Sequence, residues 1–460
     1  MVGLDPQSES VATAPSSTDI NALPKELLDI VFQHLRSAHR PSLLACSLVC
    51  HSWSIASRRK LFEVIVIQCP TTLPSPALKG GRFFSLKKNV GKLLQPMKSS
   101  KTSSVQHNPN EKLYHILQAY PHTAIYPSSF HLPLLCYDRG TKGDDYHNWV
   151  YQILPLLGNL SSLTIYRLGP PSSAVAWDLI HPYLSGAVQS LLKSSKLKSL
   201  SISSVSRFPL SLLSTSGSRR LKTLTLQWAD FEDLADSGSL DDSLGAVEQP
   251  RMQQIDSLTV LLHYSSLAIL AEWLSSSTSG ISLYTLTSID ITTNSLRGQS
   301  SIWKILQLCA SSVEVVKIRF PPDRTDPHNS YPFSFRELQK LQRVDISFSK
   351  LDCLKWRTNN LLLHLDGPLP KVLPIFCSLL EAGHINKILI NFRRFIGDYL
   401  REQLTLYEEL DVILAQHELK DLREVIVVVA TPELVAEVRP RFKRLQERNS
   451  GILTLQIESI

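Results

Sequence analysis

Cysteine and histidine side chains are the first candidates for chemistry, because they bind metal ions and act as nucleophiles or bases. The chain has seven cysteines, an odd number, and no two of them form a Cys-x-x-Cys pair. Cys46, Cys50 and His51 are close enough to share one face of a helix, but the two cysteines fall at positions expected in a helical core. The pattern favours buried thiols over a zinc site or a disulfide framework. We therefore expect no metal and no cofactor.

Catalytic motifs with a known mechanism are missing from the sequence. It contains no G-x-x-x-x-G-K-[ST], G-x-G-x-x-G, G-x-S-x-G or H-E-x-x-H, and its 14 histidines are dispersed. An active site assembled from residues far apart in the chain would escape this search. The low glycine content and the repeats described below favour binding over catalysis, so we expect a protein that is not an enzyme.

Length and composition predict a globular protein with more than one domain. The chain has 460 residues, of which 43% are hydrophobic and 19% charged. No apolar stretch follows a basic start, and no apolar run is long enough to cross a bilayer. We expect no membrane partner and an intracellular location, in the cytoplasm and/or the nucleus.

The positive charge is confined to one stretch. Residues 64–110 contain seven Lys and Arg and no Asp or Glu, which accounts for the whole formal net charge of +7. Rich in Ser, Pro and Gly, residues 67–112 are predicted to be a basic flexible linker, and residues 1–18 a disordered tail. The linker has four interpretations: a nuclear import signal, a phosphate-binding patch, a set of ubiquitin-accepting lysines, or a solvated loop, which we favour. Nucleic acid is the partner that we least expect.

The segment before the linker, residues 19–66, is a compact apolar cassette. Pro24 predicts the start of a first helix and Pro41 that of a second, and a third is expected from about His51. Two apolar stripes follow from helical spacing in the first helix, one with Leu27, Ile30, Val31 and Leu35 and the other with Leu28 and Phe32. Three short helices cannot enclose both stripes, so a partner protein is expected to cover one of them.

The cassette resembles the F-box, the adaptor-binding motif of ubiquitin-ligase substrate receptors. The residues that carry the resemblance are Leu23-Pro24, Glu26-Leu27, Ile30, Leu35, Leu43, Cys46, Val49-Cys50, Trp53 and Leu61-Phe62. Val31-Phe32 departs from the aliphatic pair that is more usual in the family. The resemblance implies a three-helix fold and a Skp-family adaptor as partner, which a cullin connects to a RING subunit and a ubiquitin-conjugating enzyme. The adaptor-binding residues that it implies are Leu23, Pro24, Leu27, Leu28, Ile30, Phe32, Leu35, Leu43, Val49 and Trp53.

Residues 113–460 contain a repeated six-residue pattern, apolar-x-x-apolar-x-apolar. Its ten copies begin at Leu160, Leu197, Leu221, Ile255, Leu286, Val313, Leu341, Ile385, Leu422 and Ile452, at intervals centred near thirty residues. Leu61/Val64/Val66 fits the same pattern, and a weak extra strand is expected at Phe130 to Leu132. Stretches of helical period separate several copies, which predicts parallel strands joined by helices.

These repeats resemble the leucine-rich-repeat domains of F-box proteins of the fungal type. The Asn or Cys usual after the third apolar position is missing from most copies. The resemblance implies a mixed α/β fold, with the three-helix F-box followed by a leucine-rich-repeat-like solenoid whose curved parallel sheet lines its concave face.

The solenoid predicts where a target protein would bind. Residues between the apolar positions of each copy point away from the core, and aromatic residues and Arg are the types that most often anchor interfaces. The resulting candidates are Tyr166, Trp228, Arg319, Phe320, Arg343, Asp345 and Phe392. The alternative, that the aromatics seal the core at the strand exits, stays open for each of them.

Together these features predict a non-catalytic substrate receptor of a Skp-adaptor/cullin/F-box ubiquitin ligase. The cassette would bind the adaptor, and the repeats would bind an unknown target protein. The alternative is a scaffold that binds an adaptor or another protein without directing ubiquitination.

Overall fold

The computed structural model describes most of the chain between residues 24 and 457. The described residues are 24–68, 108–134, 143–167, 174–194, 196–214, 221–232, 253–277, 279–320, 334–347, 353–357, 360–365, 373–382, 385–392, 400–415, 419, 421–429, 432–448 and 451–457. The predicted tail at 1–18, Leu23 and most of the predicted linker lie outside them.

Helices occupy the N-terminal cassette and most connections between strands. They are α1 Lys25–Ala38, α2 Arg40–Cys46, α3 His51–Phe62, α4 Pro109–Ala119, α5 Gly143–Ile153, α6 Pro182–Leu192, α7 Ser211–Ser214, α8 Tyr264–Ser275, α9 Gln299–Leu308, α10 Leu373–Ala382, α11 Leu400–Leu414, α12 Pro432–Val438 and α13 Lys443–Arg448. Short 3-10 turns lie at Pro121–Ile125, Leu154–Leu156, Trp177–Leu179, Leu296–Gly298, Phe335–Glu337 and Arg439–Arg441. The start of α4 at Pro109 places helix within the last residues of the predicted linker.

The strands follow the predicted pattern closely. They are β1 Val64–Val66, β2 Ser129–Leu134, β3 Ser162–Arg167, β4 Val175–Ala176, β5 Ser199–Ser203, β6 Val205–Ser206, β7 Thr223–Gln227, β8 Gln253–Gln254, β9 Ser257–Leu262, β10 Ile281–Ser282, β11 Ser288–Thr293, β12 Val315–Arg319, β13 Arg343–Ser347, β14 Cys353–Arg357, β15 Asn360–Leu365, β16 Lys387–Phe392, β17 Glu424–Val429 and β18 Leu453–Ile457. Each of the ten pattern copies contains a strand, and the extra strands expected at Val64 and Phe130 are present.

Fourteen of the described strands form one sheet, and they lie side by side in the order in which they occur in the chain. The order is β1-β2-β3-β5-β7-β9-β11-β12-β13-β14-β15-β16-β17-β18. Two small parallel pairs, β4 with β6 and β8 with β10, lie beside the sheet. The fold is therefore mixed α/β with a large and mostly parallel sheet, as the sequence predicted.

The expectation of an entirely parallel sheet is wrong at one place. β14 runs antiparallel to both β13 and β15, so an extra hairpin strand interrupts the series. It falls in the longest interval between pattern copies, from Leu341 to Ile385, where the chain has room for two strands beyond the repeat. Because two reversals restore the direction, β15 again pairs in parallel with β16.

The core lies between one face of this sheet and the connecting helices. The second and third apolar positions of the pattern are completely buried from β3 to β17, for example Leu163 with Ile165 and Ile289 with Ile291. Residues between them are partly solvated in β3 and β11, for example, which leaves the other face of the sheet with an accessible row of side chains, whereas in β17 the corresponding residue, Ile426, is buried. At the C-terminal edge strand β18 this alternation weakens, and Ile457 is half exposed.

The cassette joins the sheet through a single residue, Glu63, between α3 and β1. The Glu63 carbonyl accepts hydrogen bonds from the backbone N–H groups of Ser128 and Ser129, each at 3.0 Å. Its carboxylate accepts one from Arg36 Nη1 of α1 at 2.6 Å. These three hydrogen bonds hold Glu63 against β2 and α1, so the three helices of the cassette are attached directly to the N-terminal edge of the sheet.

Candidate functional site

A small core holds the cassette together. Phe32 of α1, Leu43 of α2 and Leu61 of α3 are its buried residues, and Leu28, Leu35, Cys46, Trp53 and Ala56 pack against them. The rings of Phe32 and Trp53 meet edge to face, with centroids 5.4 Å apart. The core stripe of α1 is therefore Leu28, Phe32 and Leu35, which have the helical spacing i, i+4 and i+7.

Apolar side chains from all three helices and from the residues after α2 face outward, and we call them together the outward stripe of the cassette. Its large apolar residues that are exposed in this chain are Leu27, Ile30, Val31, Leu44, Leu48, Val49, Ile55 and Phe62. They are eight of the eighteen large apolar side chains exposed in the described residues, although the cassette is a small part of the chain. Solvent-facing apolar surface of this density marks an interaction site.

A turn after α2 presents the most exposed of these side chains. α2 ends at Cys46, so Leu48 and Val49 lie beyond it. Ser47, Leu48 and Val49 instead form a tight turn in which each backbone N–H donates to the carbonyl three residues earlier. Leu48 is 85% exposed and Val49 65% exposed, because the turn carries them away from the core.

The predicted adaptor-binding residues therefore divide into two groups. Pro24, Leu27, Ile30 and Val49 are exposed, and Pro24 also begins α1 by accepting hydrogen bonds from the Leu27 and Leu28 amides. Phe32 and Leu43 are fully buried and Leu28, Leu35 and Trp53 pack on them, so these five hold the cassette in shape. A fully buried side chain offers no surface to a partner, and Phe32 and Leu43 therefore leave the contact set. Five further apolar residues of the cassette are exposed but were not among the predicted adaptor-binding residues: Val31, Leu44, Leu48, Ile55 and Phe62.

The predicted target-binding residues are spread across the partly solvated face of the sheet. Arg319 on β12 and Arg343 with Asp345 on β13 lie on adjacent strands, whereas Tyr166 is on β3 and Trp228 follows β7. At about 4.8 Å per strand, β3 and β13 are about 30 Å apart, so the set makes a long surface and not a compact pocket. Phe320 is 5% exposed and belongs to the core, as the alternative for the aromatics proposed, and it leaves the set. The Phe392 side chain lies outside the described part of the structure.

Trp228 has an unusual backbone for so large a residue. Its φ of 52° lies in the left-handed region, and its N–H donates to the Leu261 carbonyl at 2.6 Å across to β9. The side chain is 46% exposed at the end of β7. A bulky residue held in this region at a cost of about 1–3 kcal/mol is typical of functional surfaces.

Ion pairs organise the charged part of the same face. Arg319 Nη2 lies 3.3 Å from Asp290 Oδ2 across β12 and β11, and Arg343 Nε donates to Asp345 Oδ2 at 2.8 Å within β13. The hydrogen bond to Asp345 raises the pKa of Arg343, which keeps its charge fixed. Both predicted arginines are therefore already paired with carboxylates.

Metal-binding arrangements do not appear among the described residues. No group of three or more His, Cys, Asp or Glu side chains is placed there to hold a metal ion. Cys46 packs against the cassette core and Cys309 is fully buried, where burial raises its thiol pKa to about 12. None of the described helices combines the length and the apolar character that crossing a membrane requires.

Comparison with known proteins agrees with the division of the chain at the cassette. No curated protein matches the chain. Residues 20–67 match the F-box-like family, and this range covers α1 to β1. F-box domains bind Skp1-type adaptors in ubiquitin ligase complexes, which suggests an adaptor-binding role for the cassette; residues 20–67 of this chain form an F-box-like domain.

Proposed function

We propose that the chain is a non-catalytic substrate receptor of a Skp-adaptor/cullin/F-box ubiquitin ligase. The observation that carries the proposal is the coincidence of the F-box-like match with the outward apolar stripe of the cassette. A receptor of this kind works inside the cell, in the cytoplasm and/or the nucleus.

The adaptor surface of this proposal comprises Leu27, Ile30, Leu44, Leu48 and Val49, with Pro24 at its margin. These side chains come from the start of α1, from α2 and from the turn after α2. Burying a Leu, Ile or Val side chain completely is worth about 1.5–3 kcal/mol, and partial burial correspondingly less. Because association itself costs about 4–15 kcal/mol, several of these side chains must be buried together for stable docking.

Residues 113–460 are proposed to be a leucine-rich-repeat-like solenoid that binds the target. Three observations support this assignment: strands lie in chain order, neighbouring repeats pair in parallel register, and helices connect many of them. In such an arrangement each repeat contacts its neighbours, and one face of the sheet becomes an extended binding surface. The remaining target contacts proposed on it are Tyr166, Trp228, Arg319, Arg343, Asp345 and Phe392.

The single-residue junction at Glu63 supports separate roles for the cassette, which would bind the adaptor, and the sheet, which would bind the target. With one residue between α3 and β1, a target on the sheet keeps a defined position relative to the adaptor. Tethering raises the effective concentration of the target near the conjugating enzyme, which the other subunits supply. The basic segment between Gln68 and the start of α4 at Pro109 remains proposed as a linker, and residues 1–18 as a tail.

Co-purification tests the adaptor step. The full chain, expressed with a recombinant Skp1-type adaptor and cullin, should retain both subunits through size-exclusion chromatography. Ile30→Asp combined with Val49→Asp should abolish retention, because each places a charge in an apolar interface. Leu179→Asp, which changes an equally exposed leucine outside the cassette, is the matched control. If the wild-type chain retains no adaptor, the proposal is wrong.

The second candidate function is a scaffold that binds the adaptor without directing ubiquitination. Both functions predict adaptor retention, so the discriminating measurement is protein turnover. For a receptor, proteins captured by the chain after proteasome inhibition should be degraded more slowly when the chain is deleted. Unchanged half-lives of all captured proteins would favour the scaffold.

A further inference from the structure

The partly solvated face of the sheet changes character between its two halves. From β3 to β9 the residues in register on this face are Ser162, Ser199, Thr223 and Ser257, and beside them Thr164, Ser201, Thr225 and Thr259. None of these residues carries a charge. From β11 to β14 the next residues of the second row are Asp290, Lys317, Asp345 and Lys355. Charge on this face therefore begins at β11.

The two acids in this row are already neutralised. Asp290 pairs with Arg319 and Asp345 with Arg343. Lys317 and Lys355 form no ion pair within the described residues, although Lys317 lies between Asp290 and Asp345 and Lys355 lies opposite Asp345. Each Arg–Asp pair has no net charge, so the positive charges of the Lys317 and Lys355 ammonium groups are not neutralised on this face. The uncompensated charge of this segment of the face is positive.

Spacing limits what can reach both ammonium groups. Lys317 and Lys355 occupy the same row two strands apart, with only Asp345 between them. This separation is about 10 Å, close to one turn of an extended polyproline II chain, in which three residues at about 3.1 Å each bring the next side chain back to the same side. A peptide that crosses the strands with acidic residues three apart would place one carboxylate near each lysine.

We propose that this row, named here the Lys317–Lys355 row, binds an acidic extended segment of the target protein. The proposal rests on the proposed function, since it assigns a target chemistry to the face that a receptor would use. Lys317 and Lys355 attract the carboxylates of the segment. The uncharged residues that follow them in the segment would lie on the Ser and Thr side chains of β3 to β9. The positive excess at β12 to β14 sets the part of the face at which the acidic residues of the target lie.

Two features favour an acidic peptide over a nucleic acid. Asp290 and Asp345 separate the lysines, so the row is not the continuous positive track that a phosphate backbone follows, whereas a peptide can space its carboxylates to meet the two lysines. Single-stranded nucleic acids also require aromatic side chains on which the bases stack. Among the described residues, the exposed Trp228 is at the end of β7, three strands away from β12, and Tyr166 on β3 is farther still.

Fluorescence anisotropy with the full chain tests this proposal without any adaptor. The probe is a labelled peptide of about twelve residues with glutamate at every third position, and the reference is the same peptide with glutamine. We expect measurable binding of the glutamate peptide at low ionic strength, weaker binding as salt rises, and little binding of the glutamine peptide. Lys317→Glu with Lys355→Glu should weaken binding by roughly tenfold or more, since each exposed pair contributes modestly and reversal adds repulsion.

Matched variants separate the possible failures. Lys340→Glu makes the same charge change on an exposed lysine that precedes β13 and lies off the row, and it should leave the affinity unchanged. Ile30→Asp with Val49→Asp removes the proposed adaptor contact and should also leave peptide binding intact. Three results would overturn the proposal. They are a loss of peptide affinity with Lys340→Glu as large as with the double lysine variant, an affinity for the glutamine peptide equal to that for the glutamate peptide, and tighter binding of a single-stranded RNA of matched length. An adaptor that fails to bind would overturn the proposed function and not this assignment.

Discussion

At the scale of single residues, Trp53 shows how the cassette core is built. Its ring packs edge to face on Phe32, but its indole N–H is enclosed and has no hydrogen-bond partner among the described residues. An enclosed donor without a partner costs about 1–3 kcal/mol. The size of the ring, and not its polar atom, therefore explains its place in the core.

We expect Trp53→Phe to leave the stability of the cassette within about 1 kcal/mol of wild type, because the ring contact remains and the unpaired donor is removed. Trp53→Ala should cost about 3–5 kcal/mol through the cavity that it leaves. Urea unfolding, followed by hydrogen exchange of α1 to α3, measures both changes. A large loss for the phenylalanine variant would show that the indole N–H has a partner.

His131 reports on the contact between the cassette and the sheet. It lies on β2 opposite Val66, and its pKa is lowered, first by burial and second by the nearby Arg36 guanidinium of α1. Its folded pKa is therefore below the ordinary 6.5 of the unfolded chain. The unfolded state then binds more protons in this range, so His131 contributes stability above pH 6.5 that is lost as the pH falls through the folded pKa.

Replacing the titrating ring tests this pH dependence. We expect His131→Gln to reduce the loss of stability between neutral and mildly acidic pH, relative to the wild-type chain measured in the same buffers. The exposed His122→Gln is the control for a general effect of removing one of the histidines. Identical pH profiles for wild type and His131→Gln would contradict the lowered pKa of His131.

At the scale of elements, Asp411 joins two C-terminal helices. This carboxylate of α11 is 4% exposed, and it accepts hydrogen bonds from the backbone N–H groups of Arg444 and Leu445, both at 2.9 Å. Those amides lie in the first turn of α13, where no earlier carbonyl is available to them. Asp411 therefore caps a neighbouring helix, in the manner of an N-cap residue.

Removing this cap should destabilise the C-terminal repeats. We expect Asp411→Ala to cost about 1–2 kcal/mol, the usual loss for a helix cap, and Asp411→Asn to cost less because it keeps an acceptor. Glu409→Ala, on an exposed position of the same helix, is the control. Chemical denaturation of the full chain gives the free-energy differences, and equal losses for the two alanine variants would contradict the capping role.

The strands were predictable from the sequence wherever a repeat has its two central apolar positions. β14 and β15 were not, because Cys353 to Arg357 and Asn360 to Leu365 do not fit apolar-x-x-apolar-x-apolar, and only the long interval from Leu341 to Ile385 signals an insertion. In the cassette, periodicity identified two stripes but grouped Leu35 with the exposed one. Helical spacing alone cannot tell which stripe meets the other helices, because that depends on how the three helices cross.

At the scale of the whole molecule, Glu63 determines how the cassette and the sheet are coupled. Its carbonyl receives the Ser128 and Ser129 amides, and its carboxylate receives Arg36. A receptor that positions its target needs this coupling, whereas adaptor binding needs only the cassette.

We expect a short Gly-Ser insertion after Glu63 to separate these two properties. The amides at 128 and 129 should exchange faster with solvent, because the Glu63 carbonyl is no longer held against them. The affinity for the adaptor should stay unchanged, since no exposed apolar residue of α1 or of the turn after α2 is altered. Hydrogen exchange and adaptor titration measure the two effects, and a parallel loss of adaptor affinity would mean that the cassette depends on the sheet for its shape.

The most direct test of the proposed receptor function is a calorimetric titration of the full chain with a purified Skp1-type adaptor. We expect saturable binding to the wild-type chain and a loss of at least about tenfold in affinity, or about 1.4 kcal/mol, for each of Ile30→Asp and Val49→Asp. Leu179→Asp should bind as wild type does. No binding by the folded wild-type chain, or equal affinities for all four proteins, would contradict an adaptor surface on the outward stripe of the cassette.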